Sequence, residues 1–450
     1  MANLVEHLHQ DAIFLEPRLA LETARCANRV QMTEAVTGLQ VCYYLSQEPL
    51  LESLPNLVHV SPTSMLEFFA TTHLRLPTLI VMPTSFSTGL QQRLGSDILA
   101  CLKAASERRE SYYHYNVAAI RSRPPPPRQA GRLRVMGWGS RSTMVMQHAT
   151  RGVLEALARL GHETLFLIEP SDVEAMSGYQ VSKSLLTFQP HLVISVNYLN
   201  NQALHPATAN VVWWQDRMPA LKESEPCLPW RDNDLVYSLD PERFRPLLTA
   251  KGLPPERQRG QHGCIDTTVF RPEGGPPRQE RTMVFVGTSY RAHQSYDPSH
   301  PSQARFLATL DERLRAGEVL TSPEIDLLGQ EHGIADRVLR GALWNVLIRD
   351  EPVRWMCGLA EQGWNIEIYG PGWDRDPIVR PFHRGMIAPG PDLASLYRRA
   401  SHALSATPNL LSHQRLAEIA ACGCSPVVYD CRRASAPPHW GDGELPMALI

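Results

Sequence analysis

From residue 132 onward, short apolar runs alternate with stretches of helical periodicity. LRVMGWGS reads as a strand entering a glycine turn, and STMVMQHATRGVLEALARLGH as an amphipathic helix closed by Gly161. ETLFLIEP, HLVISVNYL, NVVWWQD and DLVYSLD follow as further strands, each apolar run ending in a polar residue. Strands alternating with helices predict an open parallel sheet, whose ligands bind beyond the carboxyl ends of the strands. The residues at those ends are Gly137, Trp138 and Gly139 after the first strand, and Gln215 and Asp216 after NVVWW.

The same layout repeats after residue 281. TMVFVGTSYR is again a strand and glycine turn. Residues 355–430 then read as helix (RWMCGLAEQG), strand (WNIEIYG), glycine loop (PGW), a short strand near HRGMI, helix (DLASLYRRAS), strand (HALSA), a polar tip with a short helix, and a strand (SPVVYD). Two stretches rich in proline punctuate the chain, RSRPPPPRQAGR at 121–132 and FRPEGGPPRQER at 270–281. The expected domains are therefore 1–120, an accessory α/β or helical domain, 132–270 and 282–450, joined by linkers at 121–131 and 271–281. Within 292–350, RFLATLDERLRAGEVL and IADRVLRGALWNVLIRDEP read as helices inserted into the last domain. Neither this insertion nor residues 1–120 suggests a function.

Composition narrows the classes. In 450 residues, 44 basic and 46 acidic side chains leave a net charge of −2, so no broad field steers nucleic acid or an anionic membrane. Nine cysteines at no repeated spacing suit buried thiols in a reducing compartment better than a disulfide framework. No stretch approaches the roughly 20 apolar residues of a membrane helix, and the N-terminus lacks a basic, then apolar leader. A cytoplasmic, soluble protein without a membrane span or nucleic-acid partner is expected.

SHQRLAEIAACGCSPVVYD, residues 412–430, carries the most chemistry. A helix that starts after a polar tip offers free backbone N–H groups and a positive dipole end to an anion, with Arg415 nearby. Glu418, one turn further in, could accept both vicinal hydroxyls of a ribose, as acidic residues do in other nucleotide folds. The plainer alternative is a solvated surface glutamate followed by small residues, Ala420, Ala421 and Gly423, that serve packing.

The order RG.I, DL..LY..A, strand, then N...SHQR..E.AACG..PVV resembles the donor-binding half of the group 1 glycosyltransferases, and most of all their bacterial spore-maturation branch. VVWWQDRMP, NDLVYSLD, GCIDTTVFRP, VFVGTSYR and IEIYGPGW follow that family's order over roughly 132–430. The resemblance implies a GT-B-like α/β architecture, two Rossmann-like domains facing a cleft, and transfer of a sugar, of hexosyl type, from a nucleotide-diphosphate sugar to an unknown acceptor: glycan, protein or small molecule. It implies no cofactor and no metal. Carried over by position, Glu418 grips the ribose, and Gly287, Thr288 and Arg291 meet the diphosphate, with Arg415 sharing that charge. Tyr369, Gly370, Arg384, Gly385 and Tyr397 line the base pocket, and Asn409 and His413 face the sugar. Asp216 and His262 are the candidate catalytic bases, with His413 the third residue placed at the reacting centre.

Departures from the pattern matter. Leu410 stands where retaining members carry a second glutamate, which leaves the anomeric course open. The chain ends 20 residues after SPVVYD, so the family's closing elements are expected to be missing or replaced. Asp-x-Asp triplets at 232–234 and 374–376, and the set Cys422, Cys424, Cys431 and His439, mimic metal motifs without their spacing or setting. GWGS at 137–140 lacks the third glycine of a dinucleotide fingerprint. A noncatalytic binding or scaffold protein is the alternative to an enzyme, and an oxidoreductase binding a dinucleotide at Gly137–Ser140 is the third reading.

Overall fold

A computed structural model of the chain describes residues 11–449 except 34–39, 73, 127–130, 142, 172–173, 217, 223, 240, 262–263, 275–276, 293–294, 317, 319, 321, 407–413 and 429–447. The chain divides into two compact units, Met1–Gln261 and His262–Ile450.

The first unit holds two parallel sheets. Strands β1 (Ala12–Phe14), β2 (Cys42–Leu45), β3 (Leu57–Val60) and β4 (Leu79–Val81) lie in the order β3-β2-β1-β4, all parallel. Helices α1 (Pro17–Thr33), α2 (Met65–Thr71) and α3 (Thr88–Ser122) accompany them. The second sheet is β5 (Arg134–Trp138), β6 (Glu163–Leu167), β7 (Leu192–Val196), β8 (Ala209–Trp214), β9 (Asp234–Ser238) and β10 (Gln258–Gly260), in the order β10-β9-β8-β7-β5-β6. It too is parallel throughout. Its helices are α4 (Met144–Arg159), α5 (Gly178–Phe188) and α6 (Pro241–Ala250). The chain steps from β5 to β6 on one side and returns to β7 on the other, so the strand order reverses between β5 and β7, where open sheets hold their ligands.

Helix α3 explains why residues 1–120 are not a separate body. It runs for 35 residues, and its apolar side chains serve two cores in turn. Ile98, Leu102 and Ala105 pack with Ile13, Tyr43 and Phe69 of the first sheet. Val117 and Ile120 pack with Met136, Leu185 and Val193 of the second. Polar ties add to this: Gln180 Nε2 donates to the Thr72 carbonyl at 2.9 Å, and Asn116 Nδ2 to Ser182 Oγ at 3.1 Å. The prolines from 124 onward stop the helix, because a residue before proline is pushed out of the helical region. They end an element without separating two domains.

The second unit is one sheet, β11 (Gln279–Val286), β12 (Asn365–Tyr369), β13 (Ala400–Ser405), β14 (Ser425–Val428) and β15 (Ala448–Leu449), ordered β12-β11-β13-β14-β15 and parallel. The expected linker at 271–281 lies within this unit: Phe270 is buried in its core beside Val284 and Tyr397, and β11 starts at Gln279. The insertion is helical, as expected. It comprises α7 (Pro301–Arg315), α8 (Ser322–Glu331) and α9 (Arg337–Asn345) around Phe306, Leu310 and Leu343. A π-helical turn, Val346–Asp350, leads from α9 into α10 (Glu351–Gly358). Helices α11 (Pro391–Arg399) and α12 (Gln414–Ala421) flank β13 in sequence. No strand forms near HRGMI; there the chain makes a single bridge, His383 to Ile368. Here the order reverses between β11 and β13. The two larger sheets give the chain the pair of Rossmann-like folds of a GT-B-like protein, and the first sheet makes the N-terminal addition α/β.

Candidate functional site

In the second unit the turns after β11 and β12 meet backbone to backbone. Gly370 has φ +124°, and a Cβ there would lie 2.1 Å from the Gly287 carbonyl oxygen. Only glycine permits that approach. Gly287 N–H donates to Tyr369 O at 2.9 Å and Gly370 N–H to Gly385 O at 2.8 Å. Trp373 Nε1 donates to Gly287 O at 2.7 Å. The structure thus brings Gly287, Gly370 and Gly385 into one hydrogen-bonded set, with Thr288 exposed beside it.

Asp350, at the end of the π turn, fastens the following loop. It is fully buried, and its Oδ2 accepts from Ser289 Oγ at 2.9 Å and from Arg291 N–H at 2.8 Å. Burial pushes its pKa up, and these two donors oppose the rise. The Arg291 guanidinium is committed elsewhere. It pairs with Glu351, donates from Nη1 to Tyr296 Oη at 2.8 Å and approaches Asp376 at 3.9 Å. Arg354 joins the same two carboxylates. Arg291, expected to meet a diphosphate, is an internal partner of Glu351 in this structure.

Glu418 is buried on α12, and both carboxylate oxygens have partners from its own helix. Gln414 Nε2 donates to Oε1 at 2.9 Å and Arg415 Nη1 to Oε2 at 3.3 Å. Burial raises the Glu418 pKa and Arg415 counteracts it. A carboxylate offers about four acceptor positions, so these two donors do not exhaust its capacity. Arg415 Nη1 also reaches Tyr397 Oη at 3.4 Å. Tyr397 itself is 1% exposed, in the core with Leu393, Ile419 and Cys422. Its ring is core packing, and its hydroxyl meets Arg415. Tyr369 is half-buried, its hydroxyl bound to Glu367 at 2.7 Å. Arg384 is exposed, and its N–H donates to Ile368 O at 2.8 Å. Asn409, His413 and His262 lie outside the described residues.

In the first unit, Asp216 follows β8 and is exposed. It is oriented by Asn197, the residue after β7, which is fully buried and has φ +64°. Around the reversal between β5 and β7 opens a pocket of about 680 Å³, lined among others by Tyr113, Trp138, Ser140, Glu169, Tyr198 and Asn200. Tyr113 comes from α3, so the N-terminal segment supplies part of its wall. Glu169 closes the turn after β5: its oxygens accept from Ser140 Oγ at 2.8 Å and Arg141 N–H at 2.9 Å. A Cβ at Gly139 would lie 2.9 Å from Gln147 Cα, and one at Gly137 2.7 Å from Thr150 Cγ2. These glycines let α4 pack closely on the sheet, which accounts for them without a dinucleotide.

In each acidic triplet the last carboxylate is paired internally. Asp234 is buried against Arg231 and Asn201, and Asp376 faces Arg354 and Arg291. Burial pushes the Cys422 thiol up to about 11 and Cys424 up to about 12; Cys431 and His439 lie outside the described residues. Among the described residues no group of three or more His, Cys, Asp or Glu side chains could hold a metal ion, and no helix is long and apolar enough to cross a membrane.

Residues 349–441 match the family described as "Glycosyl transferase-like". The matched stretch spans β12, α11, β13, α12 and β14, and includes Gly370, Gly385, Arg415 and Glu418. No curated protein matches the chain. Among solved structures, the chain is similar to a glycosyltransferase from Rickettsia africae ESF-5, at 8% identity over 66% of this chain and 79% of that one, with a TM-score of 0.40. It is also similar to the apo form of the lipopolysaccharide outer core galactosyltransferase WaaB, at 11% identity, 68% and 82% coverage and a TM-score of 0.32. Both likenesses are loose, and the fold stands on the topology described above.

Sequence reasoning missed Asn197, Tyr113 and Asp350. Asn197 ends a strand as a polar residue that tolerates positive φ, which is the signal that could have marked it. The other two sit in helical patterns that read as packing.

Proposed function

We propose that the chain is a glycosyltransferase of hexosyl type, of the spore-maturation branch, whose second unit holds a nucleotide-diphosphate sugar and whose first unit holds the acceptor. The observation that carries this is the coincidence, in one sheet, of the glycosyl transferase-like stretch 349–441 with the reversal point of a parallel order, where Gly287 and Gly370 meet. Glu418 accepts the ribose hydroxyls through its remaining acceptor positions, while Arg415 opposes the rise that burial imposes on its pKa. Gly287 and Gly370 serve the close packing of the two turns, while Gly385, with no atom within 4 Å of where its Cβ would stand, leaves its backbone open to the donor's base.

In the reaction the bond from the anomeric carbon to the diphosphate oxygen breaks, and its electron pair leaves with the nucleoside diphosphate. The acceptor oxygen forms the new bond to that carbon and gives its proton to a base, for which Asp216, held by Asn197, is the candidate. Positive side chains and backbone N–H groups stabilise the leaving charge, so neither a metal nor a resident cofactor is needed in this scheme.

One observation favours a second reading. Glu418 is already engaged by Gln414 and Arg415, and a pair that did not open to ribose would leave a binding or scaffold protein. A thermal-shift panel of UDP-, GDP- and dTDP-sugars against wild type and Glu418→Ala separates the outcomes. The transferase scheme predicts that one nucleotide class stabilises the wild type alone. Equal shifts in both proteins would remove Glu418 from the site, and donor binding with no sugar transfer or hydrolysis would favour the scaffold.

A further inference from the structure

We propose that Arg349 holds the donor diphosphate, an inference that rests on the nucleotide-sugar reading of the second unit. Arg349 is the penultimate residue of the π turn Val346–Asp350. A π turn inserts an extra residue into the helical ladder and recurs at functional sites. Here it lets two consecutive side chains serve the same loop: Asp350 fastens residues 289–291, and Arg349 lies across the strand ends. Its Nε donates to Ala406 O, just past β13, at 3.1 Å. Its guanidinium carbon is 5.0 Å from the centre of the Tyr290 ring. Its Nη1 is 3.8 Å from the point that a Cβ on Gly287 would occupy. Arg349 thus bridges the ends of β11 and β13, the two strands between which the order reverses.

The neighbouring cations are neutralised and Arg349 is not. Arg291 and Arg354 share Glu351 and Asp376, and Arg415 pairs with Glu418. Among the described residues Arg349 has no carboxylate partner. With Nε on a carbonyl and one face on an aromatic ring, its orientation is fixed while both terminal nitrogens keep donors. Such a planar fork matches two phosphate oxygens at once. Gly287 carries no side chain because a Cβ there would lie 2.8 Å from Phe285 Cζ; the terminal nitrogens of Arg349 stand beside this bare backbone, so the ligand they suit is a diphosphate laid against the turn after β11.

The test is equilibrium binding of UDP, GDP and dTDP, and of uridine, guanosine and thymidine, to the full chain as wild type, Arg349→Gln and Arg349→Lys. Losing one charge-assisted contact should weaken the preferred diphosphate about tenfold to a hundredfold in Arg349→Gln, leave the matching nucleoside unchanged, and give an intermediate loss in Arg349→Lys. Unchanged diphosphate affinity in Arg349→Gln overturns the proposal, as does an equal loss of nucleoside and diphosphate, which marks a structural role. If Arg349→Gln shows no cooperative melt, Arg349→Lys decides: a loss confined to the diphosphate supports the assignment and wild-type affinity overturns it. A wild type that binds none of the three diphosphates sinks the nucleotide reading together with this one. A wild type that binds one of them, weakened by Glu418→Ala but not by Arg349→Gln, sinks only this one.

Discussion

The amide of Asn197 holds Asp216 by two hydrogen bonds and its neighbour Gln215 by a third. Its Nδ2 donates to Asp216 Oδ2 at 2.8 Å, and its Oδ1 accepts from the N–H groups of Gln215 at 2.7 Å and Asp216 at 2.9 Å. A residue meant to take a proton from an acceptor must be held in line, and misplacement by about 1 Å costs on the order of a hundredfold. Asn197→Gly keeps the left-handed backbone and deletes the clamp. It should lower turnover of the stabilising nucleotide sugar by roughly ten- to a hundredfold with little change in donor binding. Unaltered turnover would release Asp216 from the role of base.

The contact between Gly370 and Gly287 makes a sharp structural prediction. Gly370→Ala places a Cβ 2.1 Å from a backbone oxygen at φ +124°, so both strain and overlap oppose it. The cost is about 3 kcal/mol or more, a melting-temperature drop of roughly 6–12 °C. Gly385→Ala, with φ +81° and no atom within 4 Å of the new Cβ, should cost about 1 kcal/mol. Equal melting temperatures for the two variants would contradict the packing of these turns.

Glu367 predicts part of the acid unfolding limb. Hydrogen bonds from Arg399 foremost, with Tyr369 and Asn365 helping, hold its carboxyl at about 2, against 4.5 for an unperturbed glutamate. The folded protein keeps this group ionised where the unfolded chain has taken up a proton. Its stabilisation is complete above pH about 4.5 and is lost as pH falls toward about 2. Urea midpoints measured across that window should fall less steeply for Glu367→Gln than for wild type.

Glu418 has the opposite sign. Burial raises its pKa above 4.5, so its contribution is fully present below pH about 4.5 and declines as pH rises through the folded value. Relative to Glu418→Gln, wild type should therefore lose stability over that rise. Nucleoside affinity should climb over the same range, because the ionised carboxylate is the better acceptor for ribose hydroxyls. Calorimetric titrations at stepped pH check this; affinity independent of pH in that range would separate Glu418 from the ligand.

Much of the sheet architecture was legible because buried parallel strands write themselves as apolar runs: NVVWW became β8 and NIEIY became β12. Gly287, Gly370 and Gly385 were singled out by the family resemblance; that they join in one hydrogen-bonded set of close turns depends on tertiary contacts that the sequence does not display. What packs against a helix is not written in its periodicity. Helix α3 gave no sign of bridging two cores, and Tyr397 looked like a pocket aromatic although it is a core one. Arg349, Asp350 and Glu351 lie in a run that reads as one amphipathic helix; which arginine is paired with a carboxylate and which faces the turn depends on the π turn and on tertiary contacts. HRGMI has the apolar content of a strand but forms only one bridge, because the turns at Gly370 and Gly385 occupy its backbone.

Hydrogen exchange of the full chain with and without the most stabilising nucleotide sugar tests the donor site most directly. Protection should appear in residues 285–291, 366–372 and 414–421, and be lost from 414–421 in Glu418→Ala. Protection confined to 134–140 and 196–200, or none with any UDP-, GDP- or dTDP-sugar, would contradict a donor site in the second unit.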